Sequence, residues 1–361
     1  MNFESAYERE ILKQGKNNVQ VSEIGGGDAV EYKIDFVIPW VDGNDPEWQE
    51  IRNKYAHKND GDNREIRYRD WDNLQYWFRG VERFTPWVNK IHFITWGHLP
   101  PWLDTNNPKL NIVYHEDYIP EKYLPTFNSH TIELNLHRIR GLSDRFVYFN
   151  DDTFIIRSMD QKDFFRQGLP CDSAVIRPYL SKDRNSIGGI VSNNMAIINT
   201  TYDKNTVIKQ NFFKWFNLRY KKQLLSTFLN MPYGVFTGFF DPHLPNSYLK
   251  STFEEVWEKE YEVLNDTCTH KFRDRRDVNQ WLIRYWQLVK GNFAPRNADI
   301  GVSYSLSSNN EEIFDVIKRQ KYKMICLNDS DVDSSMNFEK ERDLLKEAFN
   351  YVLPEKSSFE I

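Results

Sequence analysis

Cysteine is scarce in this chain. There are 3 in 361 residues, Cys171, Cys268 and Cys326, widely spaced and odd in number. With no CxxC pair there is neither a thiolate zinc ribbon nor a disulfide framework, and a reducing, cytoplasmic setting is expected. Long apolar runs are missing too: no stretch approaches the roughly 20 residues a transmembrane helix needs. The opening "MNFESAYEREILKQGKNN" is charged throughout and lacks the apolar core of a signal peptide. The N-x-S/T sequons at Asn199, Asn265 and Asn328 therefore carry little weight. Positive charge is not in excess. The 47 Lys and Arg against 52 Asp and Glu leave a net charge of -5, which argues against nucleic acid as the main partner. The basic stretch "KFRDRR" at 271–276 still leaves room for a small anionic ligand. A phosphate-cradling glycine loop is absent as well. The "GGGD" at 25–28 has no Lys-Ser or Lys-Thr after it and no G-x-G-x-x-G spacing, so it reads as a linker.

What is present is length, aromatic mass and a regular alternation of elements. A chain of 361 residues buries a substantial core, and the length fits about two domains or one large one with insertions. Aromatics make up 15 %, enough for packing and for stacking on sugars. "KIDFVIPW", "KIHFITWG", "NIVYHED" and "RFVYFNDDTFI" read as strands, with "SAVIR" (173–177) and "MAIIN" (195–199) as two more. Between them, "RDWDNLQYWFRGVERF" and "TIELNLHRIRGL" carry helical periodicity. Strands spaced by helices predict an α/β fold with a mostly parallel sheet covered on both faces. After residue 200, aromatic-rich helical stretches such as "NFFKWFNLRYKKQLLSTFLN" and "DVNQWLIRYWQLVKG" take over. The expected organisation is an appendage at 1–33, an α/β core at 34–200, a helix-rich part at 201–335 and a C-terminal helix at 336–361.

The chemistry concentrates at strand ends. In "RFVYFNDDTFI", Asn150, Asp151 and Asp152 emerge from a buried run, where adjacent carboxylates are costly unless a cation or hydrogen bonds compensate. A divalent ion bridging a diphosphate is the usual reason, and hard oxygen ligands suit magnesium or manganese. The plainer reading is an Asn/Asp turn. In "IDFVIPWVDGNDPEW", Asp42, Asn44 and Asp45 follow the first strand as a loop over a nucleotide would, although Asp-Gly and Asp-Pro are also ordinary turn pairs. In "LPTFNSHTIELNLHRI", Asn128 and Ser129 fall at a helix N-terminus, where phosphate oxygens are welcome. Glu133 and His137 follow one helical turn apart, which suggests a catalytic or ligand pair, although a lone histidine on a helix face is more often structural. Further on, "FFDPHLPNSY" fixes His243 between prolines, and "CTHKFRDRRDVNQW" offers His270, the planar donor Arg273 and Asn279. The plainer reading of that stretch is a solvated charged turn that caps the next helix at Asp277. "MICLNDSD" brings Asn328 and Asp329 off a last apolar run.

Taken together, the blocks "IDFVIPWVDGNDPEW", "RYRDWDNLQYWFRGVERFTPWVNKIHFITWG", "LPTFNSHTIELNLHRIRGLSDRFVYFNDDTFI", "DPHLP…THKFRDRRDVN" and "ICLND" resemble the conserved regions of the Stealth proteins. These are sugar-1-phosphate transferases that include bacterial capsule polymerases and the animal enzyme that tags lysosomal glycoproteins. The resemblance spans roughly residues 34–330. It implies a nucleotide-sugar-transferase-like core of GT-A or Rossmann type, a UDP-N-acetylhexosamine donor, a glycan acceptor and magnesium or manganese. It implies transfer of the sugar with its phosphate, in capsule or surface polysaccharide synthesis. The family's motif positions fall here on Asp42, Asp45, Arg69, Asp70, Asn128, Ser129, Glu133, Asn150, Asp151, Asp152, His243, His270, Arg273, Asn279, Asn328 and Asp329. Two departures are visible, Arg140 where proline is frequent and Trp71 where a small polar residue is common; neither removes a polar motif residue.

From this follow the expected roles. His243, with His270 second, takes the acceptor's proton; Arg273 and Asp152 serve the phosphate. Asp151, Asp152 and Asp329 hold metal, and Asp42 with Asp45 faces the nucleotide. Arg69, Asp70, Asn128, Ser129, Glu133, Asn150, Asn279 and Asn328 line the substrates. The protein is expected in the cytoplasm, with contact to the inner membrane face or to capsule-assembly partners left open. The rivals are a conventional metal-dependent glycosyltransferase that releases UDP, and a non-catalytic carbohydrate-binding protein.

Overall fold

The first apolar run forms strand β1 (Asp35–Pro39), in which Phe36, Val37 and Ile38 are wholly buried. The computed structural model describes residues 32–56, 71–180, 187–329 and 337–361. β1 pairs in parallel with β2 (Ile91–Thr95) on one side and β4 (Arg145–Tyr148) on the other, and β2 pairs in parallel with β3 (Leu110–Tyr114). Parallel neighbours buried on both faces explain why β1 and β2 read as nearly unbroken apolar runs rather than alternating ones. The register places Val37 beside Tyr148 and Thr95 beside Tyr114, so these four strands all end at one edge. That edge is where the loops carry the polar motifs.

The stretch "RFVYFNDDTFI" is two strands, not one. β4 stops at Tyr148, and β5 (Thr153–Ile155) leaves for a second sheet, so Asn150–Asp152 form the turn between sheets. A small third sheet follows, in which β6 (Phe165–Arg166) pairs antiparallel with β7 (Leu169–Asp172). The main sheet gains its fifth strand from far along the chain. β8 (Asn246–Leu249) lies antiparallel against β4 and gives the order β3-β2-β1-β4-β8. β9 (Ala294–Pro295) completes the third sheet, and β10 (Gly301–Ser305) with β11 (Met324–Asn328) completes the second, with β11 antiparallel to β5. The observed class is the expected one, α/β with a mostly parallel central sheet.

Some local expectations change. "MAIIN" lies inside the helix Gly188–Thr201, whose buried Ile190, Val191, Asn194, Met195 and Ile198 follow a helical rather than a strand period. Four apolar residues in a row are too few to tell the two apart. "SAVIR" is extended but makes only a single bridge, Ile176 to Phe239. "TIELNLHRIRGL" breaks after the helix Ser129–Leu134 into a 3-10 turn, Leu136–Arg138, with Asn135 Nδ2 donating back to Thr131 O. His137, in that turn, packs on Phe253 with rings 5.8 Å apart, and burial pushes it down to about 3. "NFFKWFNLRYKKQLLSTFLN" divides into Phe212–Trp215, a 3-10 segment Leu218–Gln223 and Leu224–Asn230. Lys221, at φ 50°, makes the kink. The C-terminal helix Phe338–Val352 buries Leu345, Ala348, Phe349 and Val352, while Leu344, which the spacing puts on the same face, is only half-buried.

Candidate active site

The turn Asn150–Asp152 is pinned at both ends. Asn150 O accepts from Thr153 N (3.1 Å) and Thr153 Oγ1 (2.7 Å), and Leu327 N donates to Asp152 O (2.9 Å). The β5–β11 register sets Cys326 beside Thr153, next to this turn. His243 arrives from the loop before β8. Its backbone sits at φ 53°, a left-handed conformation costly for any residue but glycine, between Pro242 and Pro245, and its N–H donates to Asp241 Oδ1 at 2.9 Å. The outcome is a three-donor group: atoms of Asp152, His243 and Cys326 all lie within 4.8 Å of one another. Asp152 Oδ1 is buried with no hydrogen-bond partner among the described residues, and burial pushes this carboxyl up against the pull of His243.

An orphaned carboxylate oxygen beside an imidazole is the kind of place a divalent cation fills. The donor set shares Asp152 with the expected acidic one but includes neither Asp151 nor Asp329. It also mixes oxygen, nitrogen and sulfur, whereas magnesium prefers oxygen alone. Burial holds the Cys326 thiol well above its ordinary range, so it is a neutral neighbour rather than a thiolate. Asp152 and His243 therefore offer a divalent ion one oxygen and one nitrogen donor.

A second constellation is built where residues 127–133 meet 270–277. Asn128 caps the helix Ser129–Leu134 by accepting from His130 N (3.0 Å), and its Nδ2 donates to Asp277 Oδ2 (2.9 Å). Ser129 Oγ accepts from Arg273 Nε at 3.0 Å. Glu133 is buried and pushed up to about 7 by that burial, with Arg273 pulling the other way; Tyr148 OH donates to its Oε1 at 3.3 Å. Tyr148 feels Asp151 and Arg273 as well, which ties this corner to the Asn150–Asp152 turn.

At the centre is Asp277, a residue sequence reasoning took for a helix cap. Asn279 does the capping, accepting from Trp281 N at 3.2 Å, with Asn194 Nδ2 donating to the same oxygen. Asp277 is instead fully buried between two histidines, His130 Nδ1 at 2.8 Å from Oδ2 and His270 Nδ1 at 2.6 Å from Oδ1. Despite burial, these partners hold its carboxyl down at about 2, and the hydrogen bond to Asp277 raises His270. Arg276 Nη2 lies 2.8 Å from His270 Nε2. An N–H pointed at Nε2 requires a lone pair there, which assigns the ring proton to Nδ1. The only sequence signal for Asp277 is its spacing after His270 in an otherwise charged run.

The first loop joins this corner through packing. Trp48, Phe127 and Phe272 form one apolar cluster, with Phe127 stacked on Phe272 at 5.3 Å and Trp48 at 5.8 Å from Phe127. Phe127 precedes Asn128 and Phe272 precedes Arg273, so the cluster fixes both polar residues beneath the helix Pro46–Ala56. Asp45 caps that helix by accepting from Trp48 N (2.7 Å), and Asp42 Oδ1 accepts from Asn44 N (2.8 Å). His98, unremarked in the sequence, accepts from Asp42 N at 2.7 Å and is held below its ordinary value by burial. Asn328 Nδ2 donates to Ser303 Oγ (2.7 Å), and Asp329 Oδ2 accepts from Trp71 Nε1 (3.0 Å), so one of the two family departures braces a motif aspartate. Arg69 and Asp70 lie outside the described residues.

Comparison with known proteins identifies the family. The Stealth conserved region 1 matches residues 32–60, conserved region 2 matches 67–171 and conserved region 4 matches 315–361. The capsular polysaccharide phosphotransferase WcwK of Streptococcus pneumoniae is 48% identical over 91% of this chain and 98% of its own length. The receptor polysaccharide phosphotransferase WefC of Streptococcus gordonii is 39% identical over 91% and 99%, respectively. The exopolysaccharide phosphotransferase cps2G of Lactiplantibacillus plantarum is 39% identical over 91% and 96%. Among solved structures, the galactosyltransferase LgtC matches at 10% identity and a TM-score of 0.35, over 87% of this chain and 95% of that one. The bifunctional glycosyltransferase WbbM matches at 12% and 0.37, over 96% and 57%. Regions 1, 2 and 4 in their proper order, with near-half identity across nine-tenths of the chain, make this protein a member of the Stealth family and a phosphotransferase.

Proposed function

We propose that this enzyme takes N-acetylhexosamine-1-phosphate from a UDP-sugar, places it on a hydroxyl of a capsular or other surface polysaccharide, and releases UMP in the cytoplasm. The observation that carries the reading is one loop holding both a phosphate donor and an oriented base: Arg273 on Ser129, and His270 on Asp277 three hydrogen-bonded contacts away through Asn128. Phosphoryl transfer runs on positioning and charge, and these are the parts it needs.

In the proposed step the acceptor oxygen attacks the β-phosphorus, the one bearing the sugar. The new P–O bond forms as the bond to the α–β bridging oxygen breaks, and UMP departs with that oxygen. Once the acceptor hydroxyl displaces the exposed Arg276 guanidinium from His270 Nε2, that nitrogen takes the hydroxyl proton. Asp277 fixes the ring with its proton on Nδ1 and stabilises the imidazolium that forms, as a buried carboxylate does behind any catalytic histidine. Arg273 lies along the phosphate oxygens, and Glu133, Asn150 and Asp151 flank the sugar. Asp42 and Asp45 shape the loop on the nucleotide side. A divalent ion at Asp152 and His243 would supply charge neutralisation for the diphosphate. This gives the base role to His270 rather than His243, because Asp277 hydrogen-bonds and orients the His270 ring, whereas the carboxylate beside His243, Asp152, is placed for the ion.

The test is product analysis with a UDP-sugar panel, manganese and an oligosaccharide acceptor. UMP with a phosphodiester phosphorus signal in the glycan supports the reading. UDP with a phosphorus-free linkage assigns a conventional glycosyltransferase and overturns it.

A further inference from the structure

Residues 204–240 carry six basic side chains and no Asp or Glu, within a chain whose net charge is -5. The same segment holds eight of the thirteen large apolar side chains that stand exposed among the described residues, all between Phe212 and Val235. Phe213 is 82% exposed and Leu218 is 87% exposed. A soluble surface rarely gathers apolar residues so densely without a partner.

These side chains are neither scattered nor loose. Rings run from Phe213 to Phe212 (5.6 Å), to Phe216 (4.7 Å) and to Phe228 (5.1 Å), linking the helices Phe212–Trp215 and Leu224–Asn230 into one surface. Trp215 and Tyr220 are buried beneath it, and Tyr220 OH donates to Lys214 O at 2.6 Å. Of the basic groups, Lys204 and Lys214 are tied to backbone carbonyls and Lys221 pairs with Asp299. Lys209, Arg219 and Lys222 are exposed and form no ion pair among the described residues.

We infer that this patch docks the enzyme on an anionic lipid bilayer. Protruding aromatic and leucine tips set among cations, in a segment without a single Asp or Glu, match the boundary between acyl chains and negative headgroups. A bilayer accepts projecting side chains without shape complementarity, whereas a protein partner needs a packed, depleted-of-charge core. The inference is independent of the donor and of the bond broken.

The experiment is co-sedimentation of the full chain with vesicles of phosphatidylcholine and phosphatidylglycerol in equal parts, and with phosphatidylcholine alone. The protein should pellet with the anionic vesicles and remain largely in solution with the neutral ones. A Phe213→Ser, Leu218→Ser variant should bind at least about 10-fold more weakly, and each of Arg219→Gln and Lys222→Gln should lose roughly fivefold. Because these side chains are exposed, folding is checked simply by circular dichroism, and turnover of a water-soluble acceptor should not change. Absence of wild-type binding to anionic vesicles overturns the inference, as does binding indifferent to the substitutions. Sedimentation velocity that shows a dimer dissolved by the same substitutions, with vesicle binding intact, assigns the patch to a second copy instead and also overturns it.

Discussion

His270 Nδ1 lies 2.6 Å from Asp277 Oδ1, with the carboxylate wholly buried and the imidazole reaching the surface on its other edge. Removing the charge while keeping the shape tests what that pairing does. In an Asp277→Asn variant the main influence raising His270 is gone and burial then pulls it down. If His270 acts as base in its neutral form, the acid limb of the kcat/KM profile should move to lower pH, and turnover should fall by about 100-fold. An NMR titration of the His270 ring and a pH–rate profile are the two measurements. A fall in turnover with an unmoved limb would reduce Asp277 to a structural role.

The same pair should shape stability against pH. Asp277 is depressed from 3.8 to about 2, so its contribution, about 2 kcal/mol, is present above the unfolded value and is lost as pH falls toward 2. His270 is raised, so its contribution is complete below its unfolded value of 6.5 and fades as pH rises through its folded value. The pair should thus support the fold best between these limits. Urea unfolding at a series of pH values should show the acid fall in the wild type and a flatter acid limb in Asp277→Asn.

Glu133 has the opposite sign. Burial raises its carboxyl from 4.5 to about 7, so the folded state binds a proton that the unfolded state releases, and stability declines as pH climbs through that interval. Glu133→Gln removes the penalty of a buried charge. The variant should be more stable than the wild type at pH 8 by about 1–3 kcal/mol and yet turn over more slowly. Denaturation and kinetics on one preparation decide it; a variant less stable at pH 8 contradicts the reading.

The donor group at Asp152 and His243 makes a binding prediction separable from catalysis. Manganese, followed by its paramagnetic resonance signal in the absence of substrate, should bind the wild type and lose at least about 10-fold in affinity in Asp152→Asn and in His243→Ala. Cys326→Ser should have far less effect, because the thiol is held protonated by burial. Equal loss in all three would make the sulfur a ligand.

Sequence reasoning reached the parallel sheet because buried parallel strands leave long apolar runs, as "FVI" and "IHFIT" do. It also singled out the polar triplet Asn150–Asp152, because adjacent acids stand out directly after the buried run "RFVYF". It missed Asp277 because a charged residue near a helix start has an ordinary explanation, and only tertiary structure brings His130 to its other oxygen. It missed the Cys326 contact for the same reason: the β5–β11 register that creates it joins residues far apart in the chain. Asp45 and Asn279 show the converse, legible as motif residues yet occupied in capping helices.

How firmly the Asn150–Asp152 turn is held depends on a helix that never touches the site. A Cβ at Gly80, in the helix Leu74–Phe84, would lie 2.5 Å from Ile155 O, so only glycine lets that helix approach β5 this closely. The obstacle is backbone, which cannot rotate aside. Gly80→Ala should therefore push β5 outward, cost about 1–3 kcal/mol in stability, and carry Asp152 away from His243. Gly97→Ala is the control: an added Cβ there meets nothing within 4 Å, and stability should stay within about 0.5 kcal/mol. Thermal unfolding gives the first number. Manganese affinity gives the second, because a displaced Asp152 should weaken the ion even where the variant remains folded. Should Gly80→Ala lose stability while binding manganese as the wild type does, β5 does not set the position of Asp152.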